Sequence, residues 1–273
     1  MINIKRFVKH AINEDNGRGD LFYDIAPEGK FTAKIISKSE GILAGVKYAE
    51  ILAQTEKIKI NFLKKDGDKI LAGDILATLE GRAAKLLSCE RTLLNMLQHA
   101  SGIATMANRY VKKLEGYKVV LLDTRKTRPH LRDFEKYASR VGGAINHRLG
   151  LDDCLMLKDT HLRTIDDLCE FVKIARKRIS WVTKIEIECE TMEQVIKAMS
   201  AGADIIMCDN MTLDQIREVV MFKDSSYPHV LIEASGNINL DTICDYAKTG
   251  VDAVSSGSII HQATWLDFSM RVD

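Results

Sequence analysis

Apolar residues recur along this chain with two different spacings, and the change falls near residue 119. Before it, Ile4, Phe7, Val8, Ala11 and Ile12 share one face at helical spacing and predict a first helix. Gly17 and Gly19, set among acids in EDNGRGD, are turn residues that end it. Residues 31–37 predict a strand and 46–54 a helix, and 64–81 alternate apolar positions with Asp-Gly and Gly-Asp turns, as structural sheet does. From 82 to 98 helical spacing returns, with Leu86, Leu87, Leu93, Leu94 and Leu97 on the apolar side and Arg91, Asn95 and Gln98 on another face. Ser101-Gly102 predicts a break before a second helix over 103–114, and a domain boundary there, giving domains 1–102 and 103–273.

After residue 119 the rhythm becomes strand, loop, helix. Apolar runs at 119–122, 154–157, 184–189, 204–208, 230–234 and 252–255 predict six strands, and helical patterns lie at 165–178, 193–201, 213–222 and 240–248. Alternating strand and helix means a parallel sheet covered by helices. A closed eight-stranded barrel needs roughly 250 residues, more than remain, so the pattern predicts an open barrel.

Charge sharpens this picture. The chain balances 39 Lys and Arg against 38 Asp and Glu, which argues against a nucleic-acid binder. Yet residues 125–148 hold seven Lys or Arg against two acids, Asp133 and Glu135. Such a run is often a solvated helix face. Here the bases stand at strand ends, Arg125 and Lys126 after the first run and Lys158 after the second, with His147-Arg148 between. Guanidinium forks and ammonium groups suit carboxylate and phosphate, so the pattern favours a pocket for a small polyanion.

Parallel barrels place their sites at the carboxyl ends of the strands. The later ends supply Glu188, Asp209, Ser235-Gly236-Asn237 and Ser256-Gly257-Ser258. Two Gly-containing loops leading toward helices favour a phosphate site through exposed N–H groups. The carboxylates could pair with lysines or hold sugar hydroxyls and a hard cation such as Mg²⁺. Glu186 and Glu190 share strand parity with Glu188, so alternation does not choose among them. Asp204 and Asp252 precede their strands and read as structural.

Several of these stretches stand together elsewhere. DTRKT (123–127), LRxxEKYA (131–138), GGxxNHRxGLxD (142–153) and LKDxH (157–161) resemble the core signature of the quinolinate phosphoribosyltransferase family. EDxGxGD, ERTLLN, IEIE, CDN, EASGNI and SSGS extend the resemblance over nearly the whole chain. It implies an amino-terminal α/β sandwich joined to an incomplete parallel α/β barrel of about six strands. It also implies transfer of phosphoribose from 5-phosphoribosyl-1-pyrophosphate to quinolinate with loss of CO₂, giving nicotinate mononucleotide in NAD biosynthesis.

Carried over by motif, Arg125, His147, Arg148 and Lys158 hold the pyridine dicarboxylate, with Arg91 assisting from the partner subunit of a homodimer. Lys126 and Lys158 reach the phosphates. Glu188, chosen by its spacing to Asp209, joins it in positioning ribose and Mg²⁺, and the loops 235–237 and 256–258 take the 5′-phosphate. A paralogous branch associated with molybdenum transport is the nearest rival. His161 is open between structural and ligand roles.

Two positions depart from the family pattern. Arg128 and His130 stand in Thr127-Arg128-Pro129-His130 where Thr-Thr-Pro-Gly is common, and Thr160 replaces an Asn. The lost Gly predicts an altered loop. The remaining expectations are a cytoplasmic protein with no membrane span, no signal peptide and no zinc site, its six cysteines being scattered without a Cys-x-x-Cys pair.

Overall fold

A computed structural model describes residues 4–272. In chain order the first elements are α1 (Ile4–Asn16), β1 (Lys30–Ser37), β2 (Gly41–Ile42), α2 (Val46–Glu56), β3 (Lys59–Phe62), β4 (Lys69–Ile70), β5 (Ile75–Arg82) and α3 (Ala83–Lys113). There follow β6 (Val120–Leu122), α4 (Arg132–Val141), β7 (Cys154–Leu157), α5 (Asp159–Leu162), α6 (Leu168–Arg178), β8 (Lys184–Cys189) and α7 (Met192–Ser200). The last are β9 (Ile205–Asp209), α8 (Leu213–Ser226), β10 (Leu231–Ser235), α9 (Ile243–Ala247), β11 (Ala253–Ser255), α10 (Ser258–His261) and β12 (Phe268–Val272). These form two compact units, one of residues 1–108, 133–143 and 263–273, the other of 109–132 and 144–262. No helix among the described residues is long and apolar enough to cross a membrane.

The first unit is built on an antiparallel sheet ordered β12-β1-β5-β3. An aromatic cluster fills its interior. The Phe134 ring stacks on Phe7 at 5.3 Å and meets Tyr48 edge-on at 4.8 Å. His99 stacks on Trp265 at 5.2 Å and reaches the buried Glu135 carboxylate at 3.1 Å. The helix break anticipated at Ser101-Gly102 is absent, because α3 runs straight through it. Both residues are buried, and both are there for close packing. Ser101 Oγ accepts the Ala44 N–H at 2.9 Å, and a Cβ on Gly102 would stand 2.3 Å from the Thr264 carbonyl oxygen. The glycine lets a second backbone lie against the helix.

The second unit carries a six-stranded sheet ordered β6-β11-β10-β9-β8-β7, with every neighbouring pair parallel. The strands consecutive in sequence, β6 and β7, occupy opposite edges, so the sheet is an open barrel as anticipated. Thr191 and Thr212 start α7 and α8 in reciprocal caps with Gln194 and Gln215. Asp204 and Asp252 serve the entry ends of the strands. Asp204 accepts the Ile185 N–H and an Arg176 N–H, both at 2.6 Å, and Asp252 accepts the Ile232 N–H at 2.8 Å. These acids serve the sheet, and the carboxylates that line the cavity, Glu188 and Asp209, lie at the opposite ends.

Gly102→Ala tests the packing argument. Alanine would favour a helix interior by about 1 kcal/mol over glycine, whereas forcing a methyl against fixed backbone costs about 1–3 kcal/mol. The expected net result is a lower midpoint in urea unfolding, and a raised midpoint would show that helix propensity governs instead.

Candidate active site

The carboxyl ends of the parallel strands open into a cavity of about 770 Å³ lined entirely by the second unit. Its basic side begins at the end of β6. Asp123 there is fully buried, and its carboxylate accepts the Asn146 side-chain N–H at 2.6 Å and the His147 backbone N–H at 2.9 Å. Ile145 bridges Leu122 as an extra strand position. The segment bearing His147 and Arg148 is thus fastened beside the segment bearing Arg125 and Lys126.

Arg125 is half-buried, and its Nε has no hydrogen-bond partner among the described residues. Burial, then the nearby Arg148 and Arg132 guanidiniums, lower its pKa from the usual arginine value. The Arg148 guanidinium makes only long contacts, to the Cys154 carbonyl at 3.4 Å and Met156 Sδ at 3.3 Å. An unsatisfied buried N–H among like charges is costly, and an anion in the cavity would relieve both penalties.

The acidic side comes from β8 and β9. Glu188 lines the cavity and accepts a bond from Lys158 Nζ at 2.6 Å, which joins two of the anticipated site residues. Its strand neighbours divide as parity could not foresee: Glu186 is fully buried, and Glu190 is exposed. Asp209 is half-buried, with Asn210 Nδ2 donating to it at 2.8 Å. Asn210 links onward, its Oδ1 accepting from Asn237 Nδ2 at 3.3 Å and its N–H donating to the Ser235 carbonyl at 3.1 Å. Gly236 is required here, at φ 98 with Asn210 Oδ1 only 2.3 Å from where a Cβ would lie. The loops 235–237 and 256–258 both line the cavity. Ser256 is buried with its hydroxyl committed to the Ile238 carbonyl at 2.9 Å, so it braces one loop against the other.

Fourteen residues were anticipated at the site, and the cavity collects all of them but Arg91. Arg91 is exposed on α3 in the first unit, while Gln98 of the same anticipated polar face is buried and donates to the Phe268 carbonyl at 3.1 Å. His161 is absent from the lining. Its Nδ1 accepts the Lys158 N–H at 3.1 Å, which makes it a local cap on α5. His130 takes φ 63, so the loop keeps a left-handed conformation that glycine favours, on a residue type that tolerates it better than most.

Sequence reasoning passed over Asn210, His261 and Glu233, which also line the cavity. His261 and Lys126 both reach Gly257, the His261 ring lying 3.1 Å and Lys126 Cδ 2.9 Å from where its Cβ would stand. His261 lies one helical turn past Ser258, and that spacing was the available signal.

At the cavity floor His147 and Glu233 meet the buried Glu186. His147 Nε2 stands 3.2 Å from carboxylate oxygens of both Glu186 and Glu233. Burial alone would lower the His147 pKa, but the two facing carboxylates outweigh it and push it up to about 10. Burial, reinforced by the Glu186 charge, raises Glu233. These three are the one cluster among the described residues with three metal-type ligand atoms drawn together. Glu188 and Asp209 offer a different set, two carboxylates on the cavity wall, whose hard oxygens suit Mg²⁺ with water and substrate phosphate completing the shell.

Comparison with known proteins matches this geometry. Residues 20–101 match the quinolinate phosphoribosyl transferase N-terminal domain, and 103–271 the C-terminal domain of the same family. The probable nicotinate-nucleotide pyrophosphorylase (carboxylating) of Bacillus subtilis is 41% identical over 99% of this chain and 94% of its own. The nicotinate-nucleotide pyrophosphorylase (carboxylating) of Mycobacterium leprae is 33% identical over 96% and 95%. The crystal structure of NadC from Streptococcus pyogenes superposes with a TM-score of 0.93 at 38% identity, covering 99% of this chain and 96% of that one. With both domains matched in order and a conforming site at its strand ends, the chain belongs to the quinolinate phosphoribosyl transferase family.

Proposed function

We propose that the protein is a carboxylating nicotinate-nucleotide pyrophosphorylase. It converts quinolinate and 5-phosphoribosyl-1-pyrophosphate into nicotinate mononucleotide, pyrophosphate and CO₂ for NAD biosynthesis. The observation that carries this reading is the buried, unpartnered Arg125 Nε in a cavity that also presents Arg148, Lys126 and Lys158 opposite Glu188 and Asp209. A polyanion and a hydroxyl-rich cation-like centre are what such a divided wall accommodates.

Arg125, Arg148 and Lys158 bind the ring carboxylates and aim the pyridine nitrogen at the anomeric carbon. That nitrogen forms the new bond as the C–O bond to pyrophosphate breaks, through an oxocarbenium-like ribose. Glu188 and Asp209 hold the ribose hydroxyls and give a negative field for the developing positive charge. Lys126 takes phosphate charge, and the loops 235–237 and 256–258 hold the 5′-phosphate. Mg²⁺, which Glu188 and Asp209 would hold, supplies neutralisation of charge on the leaving pyrophosphate. The electrons of the C2–carboxylate bond then stay on C2 as CO₂ departs, stabilised by the adjacent positively charged ring nitrogen, and that pair takes up a proton. Positioning and fixed electrostatics supply most of the acceleration. We assign the reaction to the cytoplasm, where both substrates are soluble metabolites.

Three outcomes test this reading. Incubation with both substrates and Mg²⁺ should release CO₂, and nicotinate should replace quinolinate poorly. A charge-assisted hydrogen bond contributes roughly 1.5–3 kcal/mol, so losing one carboxylate should cost at least about tenfold in kcat/KM. Comparable turnover of nicotinate would sink the assignment.

Glu188→Gln and Asp209→Asn should depress turnover while calorimetry shows quinolinate affinity largely kept. Collapse of that affinity with turnover intact at saturation would reverse the roles.

Arg91 fits a homodimer with shared sites: exposed on α3, it is absent from the lining of the cavity in its own chain. Arg91→Ala and Lys158→Ala should each be nearly inactive alone and regain activity when unfolded and refolded together. Mixed dimers seen by mass spectrometry without recovery would eliminate the shared site.

A further inference from the structure

His147 lines the cavity, yet both of its ring nitrogens are engaged within the protein. Nδ1 accepts the backbone N–H of Arg148 at 2.7 Å. Nε2 faces Glu186 at 3.2 Å and Glu233 at 3.2 Å. The two acids are 0% and 2% exposed, deeper than any contact with substrate requires. Glu186 also receives the Cys154 thiol at 3.7 Å, a group that burial and then the Glu186 charge keep protonated by pushing its pKa up to about 12.

An Nδ1 that accepts an amide has no proton of its own, so the ring proton sits on Nε2 and points between the carboxylates. Ser255 lies beside Glu233, and its hydroxyl works against the burial that raises the Glu233 carboxyl. The same geometry argues against a metal between the three groups, because the Nε2 lone pair a metal needs is occupied by hydrogen.

We propose that Glu186 and Glu233 are positioning residues that hold the His147 ring proton on Nε2, so that Nδ1 accepts the Arg148 amide and fixes where Arg148 enters the cavity. The chain of contacts runs from β8 and β10, through one imidazole, to the residue assigned to a quinolinate carboxylate. The paired acids give the ring a fixed tilt that a single acceptor would leave free. They also set a buried negative charge behind a wall of guanidiniums, which offsets repulsion between Arg125 and Arg148. This deepens the reading above and rests on it for the kinetic measurement alone.

Histidine-selective ¹⁵N NMR of the full-length protein, with His147 identified by the signal lost in His147→Gln, tests the tautomer independently of catalysis. One protonated Nε2 and one bare, hydrogen-bonded Nδ1 are expected. Two protonated nitrogens, or a proton on Nδ1, would overturn the proposal. So would Zn²⁺ retained after dialysis by the parent protein and lost in Glu233→Leu. In the kinetic arm, Glu233→Gln, which keeps the side-chain shape and an oxygen acceptor for Nε2, should behave like the parent. Glu233→Leu and Glu186→Leu should raise KM for quinolinate about tenfold, the equivalent of one charge-assisted contact, with KM for the phosphoribosyl donor unchanged. Equal rises in both KM values, or a Gln variant as damaged as the Leu variant, would mean that the acids only support the fold. Failure of the parent to turn over quinolinate would refute the function and leave the NMR result to decide the network.

Discussion

A single buried carboxylate organises the basic half of the site. Asp123 ends β6, and by accepting from both Asn146 and His147 it turns residues 145–148 into a companion of that strand. Without this tether, Arg125 and Arg148 would sit on independent loops and repel one another. With it, two guanidiniums are held at one cavity wall, and the folding free energy of the sheet meets the cost of their proximity. Such storage of electrostatic strain by a rigid scaffold means that a ligand has little reorganisation to perform.

The acidic half follows another rule. Glu188 is neutralised by Lys158 at 2.6 Å, so the cavity keeps a paired charge where the sugar is assigned and an unpaired excess where the dicarboxylate is assigned. Lys158 is part-exposed, which keeps this pair exchangeable: a substrate anion can compete for the ammonium at modest cost. Arg125 has no such internal partner at Nε. The proposed preference for a doubly charged ring rests on this asymmetry between a satisfied cation and an unsatisfied one.

The parallel sheet was legible in the sequence because buried strands read as short apolar runs, and all six begin and end within one residue of their pattern. Strand-end residues could be taken from those runs directly, and thirteen of the anticipated ligands meet in one cavity for that reason. What escaped depended on tertiary contact. Ser101 and Gly102 carry the local chemistry of a break, but one is recruited to the Ala44 backbone and the other admits Thr264. Strand β12, Phe268–Val272, alternates apolar and polar positions but is only five residues long, and it pairs with β1 from the far end of the chain. Glu186 and Glu188 look alike on paper; only the curvature of the sheet sends one inward to His147 and leaves the other on the wall.

Strand order also sets when these parts can come together. Val120 of β6 pairs with Ala253 of β11, and Ala33 of β1 with Val272 of β12. Both sheets therefore need some of the last residues described here, and contacts of such high sequence separation form late and against loop-closure entropy. On the ribosome, β7 to β10 can assemble while β6 still waits for its neighbour, exposing an unpaired edge during elongation. Arg125 is carried on that waiting strand, so its place at the cavity is among the last features a nascent chain acquires. A fragment ending before β11 would keep most of the sheet and lack half of its basic wall.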